Sequence, residues 1–77
     1  MEQSIKIGTR VGKNIRKARR AKDITQEQLA ARLQVIGCDL ARSTIGKIET
    51  GARHVRADEI AAIKEILEMS YDDFFAH

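Results

Sequence analysis

The sequence predicts an all-α fold, a compact domain of five short helices. Three observations carry that prediction. Apolar residues recur at i, i+3 or i+4 and i+7 in one segment after another. Most of these segments open on a capping residue or close on glycine. The composition is rich in Ala, Ile, Leu, Lys, Arg and Glu, has no proline and only three aromatic residues, and shows no strand signal. Seventy-seven residues make one small domain, near the size at which a core first holds without staples.

Residues 1–8 have no clear period and are expected to form a flexible lead-in to a domain at 9–77, with Ile5 and Ile7 packing on the body and Lys6 and Arg10 near phosphate. Thr9 is the expected N-cap of a first helix from Arg10 to about Lys22, whose Val11, Ile15 and Ala18 face inward. Lys13, Arg16, Lys17 and Arg20 fall mostly outside that stripe. Asp23 and Ile24 form a turn. Thr25 then starts the second helix with a capping box, its hydroxyl accepting from the Gln28 N–H while the Gln28 side chain reaches back. Leu29, Leu33 and Ile36 give the inward stripe, and Gly37 supplies the left-handed residue that ends it. Asp39 is the expected N-cap of a third helix from Leu40 to about Thr50, with Ile45 and Ile48 inward and Gly51 closing it. Residues 52–56 form a basic loop. A fourth helix runs from Ala57 or Asp58 to Glu68, with Ile60, Ile63 and Leu67 inward and Asp58 and Glu59 at its positive end. Ser70 caps a final short helix carrying Tyr71, Phe74 and Phe75.

Charge is distributed unevenly. Residues 1–56 carry thirteen Lys/Arg against five Asp/Glu, a balance of +8, whereas residues 57–77 carry one Lys against six acids, a balance of −5. A basic body with an acidic end can turn one face to a polyanion and another away from it. The single Cys38 excludes an internal disulfide framework and is expected to be an inert turn residue in a reducing compartment. No apolar stretch approaches the roughly 20 residues that span a membrane, and the N-terminus has no secretory signal. The expected location is the cytoplasm, at the nucleoid.

The most informative segment is 25–51. Its second half, Ser43-Thr44-Ile45-Gly46-Lys47-Ile48-Glu49-Thr50-Gly51, is a helix with a polar or very small front and an apolar rear. Major-groove reading needs such a helix, held from behind with its front free. The pieces Ile15-Arg16-Lys17-Ala18-Arg19, Ile24-Thr25-Gln26-Glu27-Gln28-Leu29-Ala30, the stretch from Ser43 to Arg53 and Ile60 to Phe75 resemble, in that order and spacing, the lambda-repressor/Cro-type (XRE family) helix-turn-helix.

The resemblance implies a lambda-repressor-like DNA-binding domain with helix-turn-helix at helices two and three. It places Arg42, Ser43, Gly46 and Lys47 at base-reading positions, Arg42 foremost, because a guanidinium takes guanine O6 and N7 together. It places Thr25 and Gln26 at the phosphate backbone, with Arg53, His54 and Arg56 as phosphate clamps in the following loop. It also implies an ion pair between Arg19 and Glu49. One departure is visible: about five residues more than in compact phage repressors separate Leu33 from Arg42, suggesting a second helix longer by about a turn.

The expected function is sequence-specific double-stranded-DNA binding by a transcriptional regulator, a repressor acting as a homodimer through Tyr71, Phe74 and Phe75. The competing reading is an antitoxin or other protein-interaction module that uses the same fold on a partner protein. No cofactor is expected. Cys38, His54 and His77 lack the paired spacing of a metal site. No phosphate loop, metalloprotease motif or activated nucleophile suggests an enzyme.

Overall fold

The periodic segments become five helices in the computed structural model, which describes residues 2–77, with side chains from Gly8 onward. They are α1 (Glu2–Ala21), α2 (Gln26–Val35), α3 (Arg42–Thr50), α4 (Ala57–Leu67) and α5 (Tyr71–Phe75). No strand occurs among the described residues. The long α1 packs on α3, α4 and α5, while α2 packs on α3 and α4. Ile15, Leu29, Leu33, Ile45, Ile48, Ile63, Leu67 and Phe74 form the interior where these helices meet. Burying each such side chain contributes about 1.5–3 kcal/mol before conformational entropy is set against it.

The first four helices end in the same way. Asp23, Gly37, Gly51 and Glu68 each take a left-handed conformation, with φ of 55°, 90°, 82° and 54°. The following N–H reaches back five residues in each case: Ile24 to Arg19, Cys38 to Leu33, Ala52 to Lys47 and Met69 to Lys64. These bonds satisfy carbonyls that the helix leaves open, and they reverse the chain within two residues. Ile24 and Met69, just beyond two of the turns, are buried, and Cys38 packs against the same core. The turns therefore also contribute apolar surface to the interior.

Two contacts set how α1 lies. A Cβ on Gly12 would come within 2.8 Å of the Glu49 carbonyl oxygen and closer still to that of Ile48. Only a residue without a side chain lets α1 approach the end of α3 so nearly. At the other side, the Asn14 amide donates to the carbonyls of Phe74 at 2.9 Å and Ala76 at 2.8 Å, clasping α5 onto α1.

The structure revises several expectations. α1 begins at Glu2 rather than Arg10, so Thr9 lies within the helix and does not cap it. The packing of Ile5 and Ile7 and the contact from Lys6 lie outside the described side chains. Ile36 is 41% exposed rather than buried, because α2 stops at Val35 and the chain turns at Gly37 before that third position can face the core. The residues that lengthen this region thus form mainly the connection 36–41. Asp39 does not cap α3. Ala41 occupies the cap without a side-chain bond, because Leu40, one residue earlier, turns into the core and is 6% exposed. Leu40 and Ile45 hold the two positions of a hydrophobic staple. Phe74 is completely buried and is therefore unavailable to a second subunit.

Candidate nucleic-acid interface

Local sequence fixes the start of α2. The Thr25 hydroxyl accepts from the Gln28 N–H at 3.0 Å, and the Gln28 side chain accepts from the Thr25 N–H at 2.9 Å. The expected capping box is present, and it leaves Gln26 as the first helical residue, half-buried beside α3. On α3, Ile45, Ile48 and Glu49 point inward while Arg42, Ser43, Lys47 and Thr50 are exposed. Gly46 sits between these faces. A Cβ built there would meet the Gln26 amide at 3.7 Å, an ordinary van der Waals contact, so the packing of α2 on α3 does not itself demand glycine at this position.

Glu49 holds this arrangement from behind. Arg19 donates from Nε to Glu49 Oε2 at 2.7 Å and from Nη2 to Oε1 at 3.0 Å. Its remaining terminal nitrogen donates to the Ile24 carbonyl at 2.7 Å. The Gln26 amide nitrogen donates to Glu49 Oε1 at 3.1 Å. One buried carboxylate therefore ties α1, the α1–α2 turn, α2 and α3 together, and the ion pair implied between Arg19 and Glu49 exists. It also fixes Gln26, with its amide oxygen and second N–H still free to engage a ligand.

In front of this network lies an open cleft of 570 Å³. Of the expected binding residues, Thr25, Gln26, Arg42 and Gly46 line it. Ser43 and Lys47 are exposed on the same helix outside it. Arg53 and His54 border a separate groove of 330 Å³ with Val11, Ile60 and Phe75, and Arg56 borders a third depression beside Cys38, Asp58 and Glu59. Sequence reasoning missed two cationic lining residues of this cleft, Arg16 and Arg20 of α1. Their spacing of one helical turn was visible in the sequence. Which flank of α1 meets the cleft depends on how α1 crosses α3.

The loop cations have partners of their own. Arg53 donates to both Glu59 oxygens at 2.9 and 3.0 Å and to the His54 carbonyl at 2.9 Å. Glu59 also accepts from the Arg56 N–H at 2.9 Å, at the start of α4. The Arg53 bonds hold the Glu59 carboxyl below the usual carboxylate range, with the Arg56 N–H adding to the effect. Arg56 pairs with Asp58 at 3.0 Å in an exposed contact of little energetic weight. Cys38 is pushed upward in pKa, chiefly by burial and then by the charges of Glu59 and Asp58, so its thiol stays protonated. No helix among the described residues is long and apolar enough to cross a membrane.

No curated protein and no solved structure gives a significant match to the chain. A helix-turn-helix family model of the Cro/C1 type matches residues 15–74, which takes in the C-terminal part of α1, the α2–α3 unit and the core of α4 and α5. This family is a DNA-binding, non-enzymatic domain type. With the matched span containing both α3 and the network that supports it, the chain belongs to the Cro/C1-type (XRE) helix-turn-helix family and is a DNA-binding protein of that kind.

Proposed function

We propose that this protein is a sequence-specific transcriptional regulator, a repressor, that lays α3 in the major groove of duplex DNA. The observation that supports this reading is the division of α3 itself: Ile45, Ile48 and Glu49 anchor its rear, while Arg42, Ser43 and Lys47 stand exposed beside a cation-lined cleft. Arg42 is the principal base reader, Ser43 and Lys47 assist it, and Gly46 allows close approach. Thr25 and Gln26 meet the backbone at the front of α2. His54 and Arg56 approach phosphate from the loop, and Arg53 does so through the N–H groups that Glu59 leaves free. Occupying a promoter is enough to block polymerase, so repression needs no second domain. The domain pairs with a second copy through Tyr71 and Phe75, which are 56% and 47% exposed, because one reading helix covers only a few base pairs.

Selection of bound duplexes from a random DNA pool, followed by binding assays on two variants, tests this proposal. Arg42→Ala should lose about 1–3 kcal/mol on the selected duplex and lose base preference at one position. Arg56→Ala should weaken all duplexes alike. An unenriched pool, or two variants that behave identically across sequences, would refute it. A monomer by sedimentation at tens of micromolar, with and without the selected duplex, would remove the dimer.

A further inference from the structure

From Gln3 to Lys22 the chain has eight Lys/Arg and no acid. That is a costly pattern for a helix, since like charges one turn apart repel. Arg19 escapes the cost by pairing with Glu49, and Lys22 by pairing with Glu68 at 2.7 Å. Arg16 and Arg20 do not. Both are exposed, they stand one turn apart on the flank that borders the cleft, and neither has an ion-pair partner among the described residues. Arg42, across the same cleft on α3, is equally without a carboxylate partner among them. Glu27 is the one carboxylate on the rim left outside the internal network, since Glu49 is neutralised by Arg19. Three guanidinium groups thus surround an open space with a single uncompensated acid, which favours an anion there.

We propose that α1 is a third DNA-contacting element, in which Arg16 and Arg20 grip backbone phosphates on the strand flanking the groove that α3 enters. This rests on the reading of α3 as the groove-inserted helix. Geometry supports it, because Gln26 at the start of α2 and Arg42 of α3 line the same cleft as Arg16 and Arg20. The planar guanidinium suits phosphate oxygens in pairs. Lys13 and Lys17, beside them on the same exposed face of α1 but outside the cleft, border a different depression with Asn14 and His77. They supply an internal control of equal charge.

The test measures binding of a short mixed-sequence DNA duplex by fluorescence anisotropy over a range of salt concentrations. The full chain is compared with Arg16→Gln/Arg20→Gln, with Arg16→Lys/Arg20→Lys and with Lys13→Gln/Lys17→Gln. Each phosphate that a side chain ceases to neutralise reduces the slope of log K against log salt by about 0.9. The arginine-to-glutamine pair should therefore lower it by nearly two, the arginine-to-lysine pair by much less, and the Lys13/Lys17 pair by less than one. Equal slopes for the two glutamine pairs would overturn the inference while leaving DNA binding intact. Absence of duplex binding by the unaltered chain would instead overturn the proposed function beneath it. The substituted side chains are exposed, and the arginine-to-lysine pair, which keeps the charge, separates a missing phosphate grip from a damaged fold.

Discussion

Removing either partner of the Arg19–Glu49 pair should cost far more than removing both. In Glu49→Met the Arg19 guanidinium, with its side chain 10% exposed, keeps only the Ile24 carbonyl as acceptor. In Arg19→Met a carboxylate 2% exposed keeps only the Gln26 amide. An uncompensated buried charge of this kind costs about 3–5 kcal/mol. A domain of this length has about 4–12 kcal/mol in all. Each single variant should therefore melt at least about 12 °C lower or fail to fold. The double variant loses both charges together and leaves the buried Ile24 carbonyl without its donor and the half-buried Gln26 amide without its acceptor, a loss of about 1–3 kcal/mol. Urea denaturation of the four proteins closes the cycle, with an expected coupling of at least about 3 kcal/mol. A double variant that folds where either single variant does not gives the same answer. Effects that simply add to within about 0.5 kcal/mol would refute the claim that this pair is a buried, mutually dependent unit.

Other expectations follow from particular contacts. Gly12→Ala sets a methyl group against the Ile48 and Glu49 carbonyls and should destabilise by at least about 1–3 kcal/mol, read by thermal melting. A neutral or stabilising effect would deny the close crossing of α1 and α3. The lowered carboxyl of Glu59 contributes stability above the usual carboxylate range that disappears as pH falls through its folded-state value. The stability advantage of the unaltered chain over Glu59→Gln should therefore shrink on acidification, and a difference independent of pH would contradict the Arg53–Glu59 clasp. Glu68→Gly relieves a left-handed non-glycine residue while giving up one exposed ion pair. It should raise stability by up to about 1 kcal/mol, read by the same melting assay.

Much of this architecture could be read directly from residue order. The inward positions of Val11, Ile15, Leu29, Leu33, Ile45, Ile48, Ile63 and Leu67 follow from a 3.6-residue period, which is a local property of the chain. The capping box at Thr25, the cap at Ser70 and the helix-ending glycines Gly37 and Gly51 are equally local, since they involve atoms only a few residues apart. The exposed front of α3 was legible for the same reason. Once its apolar rear is known, the opposite face is known.

The errors arose where distant packing outweighed local preference. Asp39 has the better capping side chain, yet burial of Leu40 moves the start of α3 two residues onward. Ile36 continues an apolar stripe, but the turn at Gly37 takes it out of register with the core. Phe74 and Phe75 are alike in sequence, and only the closure of α5 over α1 by Asn14 separates a buried ring from an exposed one.

By itself, then, the sequence determined the number of helices, most of their inward faces, the family and the residues displayed on the front of α3, because periodicity and caps act over one or two turns. Tertiary structure alone decided that Gly12 is a crossing point, that Arg53 is held by Glu59, and that Arg16 and Arg20 share a cleft with Arg42. Those outcomes depend on the angle at which one helix meets another. That angle is set by contacts between residues tens of positions apart, which no local pattern records.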